Sequence, residues 1–166
     1  MTDIAAPALT VRLADYGDAT DAGHVIALLD AYARDPMGGG NPLSDTVRAT
    51  LISALAAHPG AFSLLAFLDD EAVGLANCQT GFSTFKARPL VNIHDLSVLP
   101  GTRGHGVGKA LMAAVETEAQ RRGACKVTLE VLSGNVRAQG LYRAMGFGDF
   151  ALDPEVGTAQ FWEKTL

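Results

Sequence analysis

The stretch from Val91 to Arg122, VNIHDLSVLPGTRGHGVGKALMAAVETEAQRR, constrains the fold more than any other part of the chain. An apolar, β-branched run from Val91 to Leu99 ends at Pro100-Gly101, a turn dipeptide, and reads as a strand. Beyond the turn, Val107, Leu111, Ala114, Val115 and Ala119 recur at three- and four-residue spacing, the pattern of an amphipathic helix. Between them lies Arg103-Gly104-His105-Gly106-Val107-Gly108. Its glycines let the backbone approach a ligand closely, and the turn opens directly onto a helix N-terminus. Unbonded N–H groups there, with the positive end of the helix dipole, suit an anion such as phosphate.

Two common nucleotide motifs do not fit this turn. A Walker loop requires glycine where Arg103 stands and a hydroxyl residue after Lys109; a dinucleotide fingerprint requires its third glycine at Lys109. The R-x-x-G-x-G pattern after a V-x-P strand end instead resembles the pyrophosphate loop of the GNAT superfamily, the acyl-CoA-dependent N-acyltransferases. The resemblance continues in order through Leu129-Glu130-Val131, Asn135, Leu141-Tyr142 and Gly146-Phe147, and covers residues 91 to 148.

The rest of the chain is compatible with that reading. Its 166 residues suit one domain over 1–166 with a sizeable core. A hydrophobic content of 48% excludes a disordered chain, and a net charge of −5 argues against a generic nucleic-acid surface. No apolar run has the length of a membrane span, and MTDIAAPALTVR lacks the basic n-region of a secretory signal, so a cytoplasmic location is expected. Cys78 and Cys125 lie in apolar runs and read as reduced thiols rather than a disulfide or metal pair.

Periodicity gives a first strand over 8–14, a helix over 19–34, and a Gly/Pro-rich segment, ARDPMGGGNPLSD, that reads as a mobile loop. A second helix follows over 45–58, with Ser44 or Asp45 as its cap. Runs 61–68 and 72–79 flank Asp69-Asp70-Glu71 as a hairpin; Phe82, Phe85 and Lys86 in the next segment suit either surface or pocket. Lys126–Leu132 reads as a strand parallel to the central one, 135–145 as a helix, and Phe147–Leu152 with Ala159–Lys164 as a closing strand pair. This order matches the GNAT fold: an α/β (α+β) architecture with a mixed, mostly antiparallel sheet. The resemblance implies that its central parallel strands splay apart to admit acyl-CoA.

It also implies the site. Backbone groups of Leu96, Ser97 and Val98 would pair with the pantetheine arm, and N–H groups from Arg103, Gly104, His105, Gly106, Val107 and Gly108 would hold the pyrophosphate of acetyl-CoA. Arg103 would add charge or simply occupy a surface turn, and Asn135 would contact the cofactor, cap its helix, or both. Tyr142, seven residues after Asn135, takes the position of the family's general acid, against a packing role on its helix. For the base, the resemblance to ribosomal-protein alanine N-acetyltransferases favours Glu130, with His94 and Asp95 as rivals. Adjacent residues of a regular strand face opposite sides, so only one of that pair should meet the cleft, although the bulge that the resemblance implies in this strand could change that parity.

The implied activity is transfer of an acetyl group from acetyl-CoA to a small-molecule or peptide amine, with no metal, nucleic-acid or membrane partner. A homodimer is compatible with it. The competing reading is a non-catalytic acyl-CoA sensor or docking module of the same fold. The resemblance places specificity in residues 31–45 and 80–90, where Asp30, Asp35 and Asp45 are candidates for attracting a cationic amine.

Overall fold

A computed structural model describes residues 7–150, 153 and 155–166. These group into two compact units, one ending at Leu129 and one beginning at Glu130. The first holds β1 (Leu9–Leu13), α1 (Ala19–Arg34), α2 (Asp45–Ala57), β2 (Ala61–Leu68), β3 (Glu71–Ser83), β4 (Arg88–Val98), α3 (Val107–Arg121) and β5 (Val127–Leu129). The second holds α4 (Val136–Ala144).

Among the described residues the sheet has the order β1-β2-β3-β4-β5, antiparallel throughout except for the parallel pair β4 and β5. That parallel step follows from the helix α3 between the two strands, as the sequence predicts. The middle strands are covered on both faces. Leu65 and Leu75 pack with Val25 and Leu28 of α1 in one core cluster. Their neighbours Ala66 and Gly74 point the other way, where a Cβ on Gly74 would lie 2.8 Å from Val107 and 3.0 Å from Leu111 of α3. Glycine at 74 therefore lets α3, and the turn that opens it, sit close on the sheet.

The helices start where the sequence supplies caps. Asp18 accepts the N–H groups of Thr20 and Asp21 at α1, and Ser44 accepts that of Val47 at α2. The 80–90 segment extends the sheet: β3 and β4 form a long hairpin whose tip leaves Phe82 and Phe85 exposed. Cys78 is buried and Cys125 half-buried, both as free thiols; burial pushes the Cys78 thiol up to about 12. No helix among the described residues is long and apolar enough to cross a membrane.

Two expectations need correction. The strand predicted over 126–132 is confined to Val127–Leu129. Of the predicted closing pair, residues 147–150 and 159–164 form no strand, while Ala151 and Leu152 lie outside the described residues. The Ala159 N–H donates to the Phe150 carbonyl at 3.4 Å, without making the two runs a strand pair. Alternating apolar residues make a strand only where a neighbour satisfies the backbone. Phe161 and Trp162 are exposed here, so these side chains bury little surface to favour pairing.

Candidate functional site: a bulged strand edge, a glycine turn and a cavity

The site begins with β4. Its pairing to β5 runs from Val91 to Ile93 and stops, while the strand itself continues to Val98 against β3. On the β5 side, residues 94–98 have no strand partner among the described residues. The half-buried Leu96, Ser97 and Val98 thus lie on an open edge, the arrangement that accepts an extended ligand by main-chain pairing.

The same strand is bulged. Asn77 pairs with Asp95 and Cys78 with Ile93, so His94 is the extra residue. A bulge breaks strand alternation, and here His94 and Asp95 both line one cavity of about 380 Å³. The expectation that only one would do so applies to a regular strand, which this is not.

After β4 comes a short 3₁₀ turn, Pro100–Thr102, and then the glycine segment. Gly104 and Gly106 have φ of +91° and +80°, in the left-handed region that disfavours side chains, and a Cβ on either would project into open space. Gly106 is the N-cap of α3 and offers no side-chain acceptor. The N–H groups of the first helical turn, Val107, Gly108 and Lys109, therefore receive no side-chain cap from the described residues and are placed to bind an anion. His105 is exposed, with Nδ1 3.1 Å from the Thr102 carbonyl. These residues fit a pyrophosphate group: backbone donors without a side-chain cap, open space beside Gly104 and Gly106, and a helix start behind them.

Arg103 is used differently. Its Nε donates to the Val98 carbonyl at 3.1 Å, and its Nη2 to Asp35 at 3.0 Å. It is neither a free surface residue nor an uncommitted cation; it braces the end of β4 against the end of α1.

The cavity has two unlike walls. Leu29 and Ala33 of α1, Leu43 of the following loop, and Leu51 and Leu55 of α2 form the apolar one. The other carries Asn77, Gln79, His94 and Asp95 from β3 and β4. Tyr32 lines this cavity and also a notch of about 30 Å³ that includes Ser97 and Val98, so it lies beside both the cavity and the open edge.

A hydrogen-bonded chain runs from the core to Asp95. Ser63 Oγ donates to Asn77 Oδ1 at 2.6 Å, and Asn77 Nδ2 donates to Asp95 Oδ2 at 3.0 Å. Because the Ser63 proton is used, the Tyr16 hydroxyl, 2.7 Å away, is the donor to Ser63 Oγ. Ser63 and Asn77 are both buried, and every donor points toward the carboxylate. The sequence-based reading missed Asn77; its signal was one amide inside the apolar run Val73–Cys78. Asn77→Ala leaves the Ser63 hydroxyl without its acceptor, a loss expected to cost about 1–3 kcal/mol. A denaturant titration should show a lower midpoint at unchanged slope; an unshifted midpoint would mean the chain is not structurally coupled.

The loop after α1 is pinned, contrary to the mobile segment its composition suggests. Asp30 pairs with Arg34 at 2.8 Å and with Arg48 of α2, and accepts the Leu43 N–H at 2.9 Å. The Arg34 contact leads in holding the Asp30 carboxyl down at about 2. Asp35 accepts the Met37 N–H and pairs with Arg103, and both lower its pKa. These two acids are engaged with the protein's own arginines rather than held ready for a cationic amine.

In the second unit, Asn135 caps α4 by accepting the Ala138 N–H at 3.2 Å. Tyr142 is half-buried, its ring 6.2 Å from that of Phe147 and inclined at 52°. Glu130 is exposed.

Comparisons with known proteins agree with this architecture. Residues 25–147 match the model of the acetyltransferase (GNAT) family. A streptothricin acetyltransferase of Streptomyces lavendulae is 37% identical over 100 residues, covering 59% of this chain and 51% of that protein. An uncharacterized N-acetyltransferase of Archaeoglobus fulgidus is 39% identical over 80 residues, 48% of this chain and 54% of its own. The aligned part thus spans about half the length of these curated relatives. Among solved structures, an aminoglycoside acetyltransferase from a soil metagenome, in complex with sisomicin, superposes with a TM-score of 0.74 at 18% identity, covering 95% of this chain and 96% of that one. An aminoglycoside N-acetyltransferase in complex with CoA gives 0.72 at 22% identity, covering 96% and 97%. At these identities the likeness concerns the fold.

Proposed function

Because this chain belongs to the GNAT acetyltransferase family, we propose that it is an N-acetyltransferase moving an acetyl group from acetyl-CoA to a primary amine. Attack is direct, within a ternary complex. The observation that carries the reading is the bulge in β4, which sets His94 and Asp95 on a cavity while the same strand keeps an open edge leading to the glycine turn.

Bound acetyl-CoA supplies the acetyl group as an activated thioester. Leu96, Ser97 and Val98 orient the pantetheine arm by main-chain bonds, and the amides at the start of α3 hold the pyrophosphate. An N–H near Val98 receives the carbonyl oxygen as negative charge develops on it, a donor worth about 3 kcal/mol in comparable sites. The amine nitrogen bonds to the acetyl carbon as the carbon–sulfur bond breaks. Its surplus proton passes to a carboxylate or imidazole, and the leaving thiolate takes a proton from Tyr142. Asn135 supports the cofactor from the start of α4, where it is also the cap.

Asp95 and His94 are supported as the proton acceptor by their place on the cavity, and Glu130 by the family resemblance. The pH–rate profiles of Asp95→Asn, His94→Gln and Glu130→Gln separate them. Asp95→Asn is expected to lose the ascending limb and about 10²–10⁴-fold in rate. If only Glu130→Gln loses it, the base lies on the segment after β5.

The activity itself is tested by release of free thiol from acetyl-CoA on adding amines. CoA binding without turnover on any amine would replace the enzyme by the acyl-CoA sensor.

A further inference from the structure

Charge on the cavity wall is scarce, and its distribution bears on the acceptor. Among the described residues lining the cavity, Asp95 is the only carboxylate. Its Oδ2 is fixed by Asn77, and its Oδ1 accepts no hydrogen bond from the described residues. Asp30 and Asp35, the acids of the neighbouring helix and loop, are already paired with Arg34, Arg48 and Arg103. Opposite Asp95 stands a leucine wall, Leu29, Leu43, Leu51 and Leu55.

A ligand that fills this space needs one positive charge and a hydrocarbon remainder. A second ammonium group seated among the leucines would meet no carboxylate of the described lining residues, and an unpaired charge out of water is costly. The volume of about 380 Å³ is toward the small end of ligand pockets, roughly 300–1,000 Å³.

We propose that the acceptor is a compact monoamine, one primary ammonium group on an alkyl or arylalkyl body. The nitrogen seats against Asp95 and the hydrocarbon against Leu29, Leu43, Leu51 and Leu55. This rests on the acetyl-transfer reading above, and it departs from the polyamine sugars that a likeness to aminoglycoside acetyltransferases would suggest.

The test follows thiol release from acetyl-CoA with propylamine, butylamine, hexylamine, phenethylamine and kanamycin, beside calorimetry of hexylamine and of CoA on the unmodified protein. The expected kcat/KM rises about fourfold per methylene until the cavity is full, from the transfer free energy of a buried methylene. Hexylamine exceeds kanamycin by at least tenfold. Leu51→Gln and Leu43→Asn, checked for unchanged Tm, flatten the chain-length dependence, and Asp95→Asn removes the hexylamine heat. A flat series, or kanamycin exceeding hexylamine while thiol is released, overturns the monoamine assignment and leaves acetyl transfer standing. Absence of thiol release with every amine, with or without CoA heat, removes the acetyl-transfer reading instead. Hexylamine calorimetry then decides the preference of the cavity by itself, and absence of that heat overturns it too.

Discussion

Gly106→Val is expected to weaken CoA binding at least 100-fold while the protein stays folded. Gly106 has φ +80°, and a Cβ placed there meets nothing in the protein within 4 Å. The Cβ itself therefore has room, and the methyls beyond it are expected to intrude on the ligand side of the turn, in front of the α3 amides. Hydrogen bonds to a charged group contribute about 1.5–3 kcal/mol each. Displacing the anion from two of them costs about 3–6 kcal/mol, which is a hundredfold or more in affinity. Valine in the left-handed region also strains the turn, by about 1–2 kcal/mol. Gly106→Ala serves as the control, since it carries the backbone strain with a smaller group in the ligand's path. Calorimetry with CoA and a thermal melt on each variant separate the two effects. Binding by the valine variant as tight as by the unmodified protein would mean that the anion lies elsewhere.

Local features were legible in the sequence, and features created by pairing between distant segments were not. The turn from Arg103 to Gly108 and the helix after it are set by neighbouring residues, so glycine placement and a 3.6-residue period suffice to find them. The caps Asp18 and Ser44 belong to the same class. The bulge at His94 arises instead from the register between β3 and β4, with no mark inside either strand. The facing of His94 and Asp95 therefore had to come from the structure. Asp30 shows both cases. Its partner Arg34 lies four residues on, at helical spacing, whereas Arg48 reaches it from another helix. Asp30 and Asp35 look like solvated acids one at a time, and only their pairing with Arg34, Arg48 and Arg103 shows them holding the loop. The closing strand pair failed for a related reason. Apolar alternation is necessary for a half-buried strand, but the partner that makes it one is not written in the run itself.

Tyr142→Phe is expected to lower turnover about 10²–10⁴-fold, the usual contribution of a positioned proton donor, with CoA affinity unchanged. The substitution keeps the ring that packs 6.2 Å from Phe147 and removes only the hydroxyl, so it separates packing from proton transfer. If the residue serves α4 by packing, the phenyl ring suffices, and rate and Tm both stay near those of the unmodified protein. If the hydroxyl protonates the leaving thiolate, the loss falls on kcat at saturating amine and acetyl-CoA, while KM for the amine hardly moves. A loss of CoA affinity equal to the loss of rate would be a third pattern, a binding contact made alike in ground and transition states. Steady-state kinetics on one confirmed amine, with calorimetry of CoA on the same preparation, distinguish all three. Equal turnover by the two proteins would assign Tyr142 to packing, and the thiolate would then leave without a protein proton donor or take its proton from water.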